Sequence, residues 1–303
     1  MKQESRRGTT QLLPWTLVVL LLAVLVAIGL IHRPASSPLH NYLRKGELLS
    51  TMRIHLLEAI EAEKNAVLAL SDEESKAYAD HARQASAGVE NSRQEMDAII
   101  RQENGAEERA IMQEFNACWL QFRKLDETIL TLAIQNTNLK AQHLSATQGA
   151  EEIKKFEEYL NGLMQPRVQA NRCDQVVTLA NEALVSSLKI LARPKPHIEA
   201  ASDTEMDTIE RGIEADDAAA QKALTALTTI PDLSGNELLP KAVAAYDRFM
   251  DLTTEVLRLS RLNTNIKSAA LSLGKKRLLS AQCQEALATL QASVHDQQFK
   301  ATR

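Results

Sequence analysis

The sequence predicts an all-α protein: an N-terminal transmembrane helix followed by two tandem antiparallel four-helix bundles. Three observations lead there. The 303 residues include only 10 Gly, 8 Pro and 4% aromatics, so turns are few and the elements between them long. Residues 12–31 form an uncharged apolar run. The stretch Asn136-Thr137-Asn138-Leu139-Lys140 returns 127 positions later as Asn263-Thr264-Asn265-Ile266-Lys267, and the same offset aligns Trp119 with Tyr246, Phe122 with Phe249, Leu130 with Leu257 and Leu132 with Leu259. Self-similarity over a whole helix marks a duplicated unit.

The first element is the membrane span. After a tail over 1–11, the 20 residues 12–31 cover a hydrocarbon core of about 30 Å at 1.5 Å per residue. Trp15 suits the interfacial belt, and Pro14 falls near the helix start, where its missing N–H costs little. Basic residues flank the run on both sides, so charge alone hardly orients it. A long following domain translocates largely regardless of charge, which puts the body outside the cytoplasm, in the periplasm, on a single-pass anchor in the inner membrane. The formal charge of -4 divides into +3 over residues 1–38 and -7 over the remainder. A mildly acidic body argues against nucleic acid as a partner.

Residues 32–39 form a spacer, because Pro34 and Pro38 interrupt helix. The first bundle repeat is assigned to 40–165. Leu48, Leu49, Met52, Leu56, Ile60 and Val67 give its first helix an apolar stripe at three- and four-residue steps. Ser71-Asp72-Glu73-Glu74 is a capping box that opens the second helix, and Asn104-Gly105 closes it. A third helix is expected to run unbroken to about Thr147. Phe115, Phe122 and Ile129 alternate on it with Cys118, Leu125 and Leu132 in a heptad seam of coiled-coil type, which extends to Asn136 and His143. Gly149 reads as a break, and a fourth helix follows to Gly162–Pro166.

The second repeat is assigned to 166–303. A helix to Ala192 is broken by Pro194 and Pro196, Ser202-Asp203-Thr204-Glu205 repeats the capping box, and that helix ends at Ile230-Pro231. The next runs to about Leu273, with Pro240 tolerable only in its first turn, and a last one from about Lys275 to Phe299. Two arrangements fit. Either the chain reverses near Gly162–Pro166 and the bundles lie side by side, or helices are shared in an elongated double bundle.

Glu114-Phe115, Trp119, Phe122, the run 129–133 and Asn136–Ser145 resemble the four-helix-bundle sensory domain of methyl-accepting chemotaxis receptors. The similarity covers most of 40–165 and, more weakly, 167–300. It implies an extracytoplasmic sensor in signal transduction, usually dimeric, that binds amino acids or organic acids between its helices. The second membrane helix, the HAMP linker and the cytoplasmic signalling hairpin of that family are not matched in this sequence.

No chemistry beyond binding is expected. None of the seven His has Glu three positions before it, and there is no CxxCH, HExxH, Gly-rich phosphate loop or nucleophile elbow, so neither an enzyme nor a metal or other cofactor is predicted. Asn136 and Asn263 are the candidate ligand residues, with Lys140 and Lys267 offering positive charge to a carboxylate. The plainer reading is that each Asn bonds a neighbouring helix and fixes register. His143 reads as a satisfied core histidine, His197 as a loop residue, and Trp119 and Tyr246 as packing. Cys173 and Cys283 pair only if the helices bring their Cα atoms within about 7 Å; otherwise three separate thiols, with Cys118, are buried as small hydrophobes. The expected partners are the membrane, a homodimer mate or a partner receptor, and a small organic or amino acid. An adaptor that packs on other membrane proteins and takes no small ligand is the rival reading.

Overall fold

The computed structural model describes residues 38–165 and 170–301. The run 12–31, its tail and most of its spacer lie outside the described residues. Among those described, every regular element is helical, and no helix is long and apolar enough to cross a membrane.

The chain order is α1 (Pro38–Leu68), α2 (Asp72–Glu103), α3 (Ala106–Ala133), α4 (Thr137–Leu144), a π turn (Ser145–Gly149) and α5 (Ala150–Met164). It continues as α6 (Ala170–Ala192), the short α7 (Pro194–Glu199), α8 (Asp203–Thr228), a 3-10 turn (Pro231–Leu233), α9 (Leu238–Leu262), α10 (Thr264–Leu271), a second π turn (Ser272–Lys276) and α11 (Arg277–Ala301).

The caps are where the sequence puts them. Ser71 Oγ accepts from the Glu74 N–H at 3.1 Å, and Ser202 Oγ from the Glu205 N–H at 3.3 Å, each satisfying one orphan donor of a helix start. Asp72, Glu73 and Glu74 add negative charge at the positive end of the α2 dipole. Asn104 closes α2 in the left-handed region at φ 56°. Pro240 is the third residue of α9, in the turn where no N–H is needed.

The break expected at Gly149 does not occur, nor does the one between Leu273 and Lys275. Gly149 and Gly274 fall in the two π turns, which keep the chain helical, and Gly149 itself is right-handed at φ -60°. A π turn takes one extra residue without ending the helix, so glycine here is accommodated rather than used as a stop. The breaks come earlier, at Asn136 and Asn263, and the expected unbroken helix to Thr147 ends at Ala133.

These breaks redirect the packing. α1, α2 and α3 are joined by α11 around Leu49, Met52, Leu56, Met96, Phe115, Phe122, Leu287 and Leu290. α5, α6, α8 and α9 close around Phe156, Leu160, Leu227, Tyr246 and Phe249. Burial of each such Leu or Phe stabilises by about 1.5–3 kcal/mol. The chain passes from α3 through α4 into α5, and from α9 through α10 into α11. Each group of four therefore takes one helix from the other half, and the boundary at 165/166 does not separate two self-contained bundles. Of the two arrangements left open, helices are shared.

Gly46 lies inside α1, and a Cβ built there meets nothing within 4 Å. Gly46→Ala therefore removes backbone freedom from the unfolded chain without a clash. It should stabilise by about 0.5–1 kcal/mol, raising Tm by roughly 1–4 °C in a thermal melt.

Candidate functional site

The two Asn-Thr-Asn stretches meet. Asn136 (φ 48°, ψ 39°) and Asn263 (φ 53°, ψ 39°) both adopt the left-handed conformation that Asn tolerates better than other side-chain-bearing residues. Each ends one helix and starts the next, its carbonyl accepting from the Lys140 N–H at 2.9 Å or the Lys267 N–H at 3.0 Å.

The first N–H groups of α4 and α10 are then capped by the opposite copy. Thr137 N–H donates to Thr264 Oγ1 at 3.2 Å, and Thr264 N–H to Thr137 Oγ1 at 3.2 Å. Asn138 N–H donates to Asn265 Oδ1 at 3.1 Å, and Asn265 N–H to Asn138 Oδ1 at 3.2 Å. Outside these, Asn138 Nδ2 donates to Asn263 Oδ1 at 2.8 Å and Asn265 Nδ2 to Asn136 Oδ1 at 3.0 Å. The pattern is a local two-fold, each helix start supplying the other's N-cap.

The remaining amide donors go to the rest of the fold. Asn136 Nδ2 reaches Asp72 Oδ1 at 3.0 Å, and Asn263 Nδ2 the Ala200 carbonyl at 3.2 Å. Both Asn side chains are buried and bonded through N and O alike. Lys140 Nζ donates to the Gln135 carbonyl at 2.9 Å and pairs with Asp72 Oδ2 at 2.9 Å; Lys267 Nζ donates to the Leu262 carbonyl at 2.9 Å. Both ammonium groups thus cap the exposed carbonyl ends of α3 and α9. The four candidate residues lie together at one crossing, with their polar atoms engaged by the protein.

Two histidines differ from expectation. His143 is exposed, because the left-handed turn at Asn136 rotates everything after it off the seam of α3. His197 is fully enclosed on α7, with Nδ1 2.8 Å from Ser260 Oγ and Nε2 2.9 Å from Glu210 Oε1. Arg261 grips Glu210 at 2.7 Å and holds its carboxyl below the usual range. This Ser-His-Glu arrangement resembles a hydrolytic triad in outline only, for the Ser260 hydroxyl is enclosed and donates to the His197 carbonyl at 3.1 Å. It fastens α7 onto α8 and α9. Trp119 and Tyr246 are core residues whose polar tips find partners, Trp119 Nε1 on Glu90 at 2.9 Å and Tyr246 OH on Asp217 at 2.6 Å.

A second polar centre, missed in the sequence, lies in the core of the first group. Lys276, the last residue of a π turn, is turned inward, 1% exposed, with Nζ bonded to Asp126 and 3.6 Å above the Phe122 ring. Glu63 faces it from α1 at 0% exposure, and neither of its oxygens has a hydrogen-bond partner. Burial raises the Glu63 carboxyl against the opposing pull of the Lys276 charge. Burial likewise raises Asp126 and lowers Lys276, outweighing their mutual attraction. Two carboxylates thus share one ammonium. The signal was in the repeat: at the 127-residue offset Lys276 stands opposite Gly149 and Asp126 opposite Thr253, so this charge belongs to one copy alone.

Cys283 is free and enclosed in the same core as Cys118, whereas Cys173 belongs to α6 in the other group, so the considered pairing of Cys173 with Cys283 is not made. A surface groove of about 600 Å³ runs between α6 and α8, lined by Leu179, Val185, Lys189, Lys222 and Ala223 among others; none of the four crossing residues lines it. Among the described residues no group of three His, Cys, Asp or Glu is placed to hold a metal. Set against known proteins, the chain matches no family model, no curated protein and no solved structure.

Proposed function

We propose that the chain is a membrane-anchored sensory module with its body outside the cytoplasm, built as two antiparallel four-helix bundles and resembling the ligand-binding domain of methyl-accepting chemotaxis receptors. The crossing is the observation that carries this reading. Two helices continue from one bundle into the other, and each break is capped by the opposite copy. A ligand that shifts α5 or α9 in the second bundle therefore displaces α3 or α11 in the first without any further contact. Packed helix interfaces respond to such input by small discrete shifts, which suits a signal passed from one bundle to the other. The ligand is a small organic acid or an amino acid, or the input is a partner receptor.

A thermal-shift screen with amino acids, dicarboxylates and inorganic anions tests the binding step. A true ligand at 100 times its Kd stabilises by about 2.7 kcal/mol, an upward shift of several degrees. No shift with any of them, together with co-purification of a membrane protein, points instead to the adaptor reading. A reporter fused at the carboxyl end should be active only outside the cytoplasm; activity inside overturns the topology.

A further inference from the structure

We propose that Cys118 and Cys283 are a disulfide-forming pair that locks α11, the helix contributed by the second half of the chain, onto α3. Helices α3 and α11 run antiparallel, since along α1 Lys45 meets Glu108 at the start of α3 while Arg53 meets Gln291 late in α11, and the Lys276 to Asp126 contact fixes their register. Moving about two turns away from that contact, back along α3 and forward along α11, leads to Cys118 and Cys283. Both thiols are free and belong to one core cluster. The shared level and the shared cluster place the two residues opposite each other across the helix contact. This opposition has no equivalent in the second copy, where the 127-residue offset puts Ala245 opposite Cys118.

The order of steps follows from access. Cys118 is 9% exposed and Cys283 fully enclosed. The Cys283 thiol holds Cys118 below its usual range, while Cys118 and burial push Cys283 up. Cys118 thiolate attacks an external disulfide, forming a mixed disulfide and releasing one external thiolate. Cys283 then attacks Cys118 Sγ, and its proton passes to the departing second external thiolate, which leaves as the thiol. Two protein thiols are oxidised, one external disulfide is reduced to two thiols, and no other reactant is needed.

Pair chemistry is independent of the proposed localisation; only its operation in the cell rests on that reading, because disulfides persist outside the cytoplasm. The full chain is equilibrated with oxidised glutathione, quenched, denatured and titrated for thiols. One thiol, Cys173, is expected without reductant and three after reduction. Tryptic mapping should give Ala110–Arg123 linked to Leu278–Lys300. Cys173→Ser should keep that link and show no free thiol, and oxidation should raise Tm by roughly 5–15 °C over the reduced chain. Three free thiols in the oxidised chain, or a link made through Cys173, overturn the proposal. The carboxyl-end reporter judges the localisation separately.

Discussion

Replacing Lys276 by Met should cost about 3–5 kcal/mol of folding stability at neutral pH, measured by urea unfolding. The variant keeps the side-chain volume but removes the one cation, among the described residues, that acts on both Asp126 and Glu63, leaving two carboxyl groups without it in an apolar core. A loss below about 1 kcal/mol would show that the cluster is hydrated and carries no such role. Making all three positions apolar, with Asp126→Leu and Glu63→Leu added, should recover most of the loss, since a well-packed apolar replacement of a buried ionic group is often neutral or stabilising. The wild-type protein should also respond to pH. Burial raises Glu63 and Asp126, so the folded state holds protons that the unfolded chain has already released. This contribution is complete below the usual carboxyl values and is lost as pH rises through the raised, folded ones. Stability should therefore fall with rising pH across that window, and Glu63→Gln should flatten the slope. An unchanged slope in Glu63→Gln would assign the effect elsewhere.

The second large effect is expected at the crossing. Asn136→Ala places a less tolerant residue at φ 48° and removes the acceptor of the Asn265 amide and the donor to Asp72. Left-handed backbone costs roughly 1–2 kcal/mol and an unpaired buried amide about 1–3 kcal/mol, so a total loss of about 2–4 kcal/mol is anticipated. Asn136→Gly keeps the backbone and loses only the bonds, so it should be milder by about 1 kcal/mol. If Gly proves as damaging as Ala, the backbone contributes nothing and only the amide matters. Asn136→Ala combined with Asn265→Ala should cost less than the two separately, because the partner left unpaired is gone. Any ligand response that vanishes in Asn136→Gly while stability holds would instead favour a direct binding role.

The repeat told more about the fold than composition did. It marked Asn136 and Asn263 as equivalent, and their burial follows from the seam on which they sit. What it did not reveal is that equivalent segments touch one another, since periodicity within a helix carries no information about which helix it faces. The seam also reads straight through Asn136. A single left-handed residue changes direction without altering the apolar spacing on either side, so extrapolation carried His143 into a core it does not enter. Each π turn adds a residue and shifts the phase again, and this is what aims Lys276 inward. His197 looked like loop because prolines stand on both sides of Lys195, yet Pro194 at the first helical position starts a short helix. Lys276 and Asp126 look like ordinary polar positions in their own helices; only their mismatch with Gly149 and Thr253 distinguishes them.

The exchange of helices also bears on how the chain is made. The core around Phe115 and Phe122 has three of its walls once α3 is complete, but the fourth is α11, which begins at Arg277. At about 5–20 residues per second on the ribosome, roughly 7–30 s pass between the two. Through that interval the apolar faces of three helices wait uncovered, and the contacts that close them span most of the sequence. High contact order of this kind slows folding even in an all-helical protein. Among the described helices, the one latest in the sequence thus completes the first core, and the nascent chain holds those apolar faces open until it arrives.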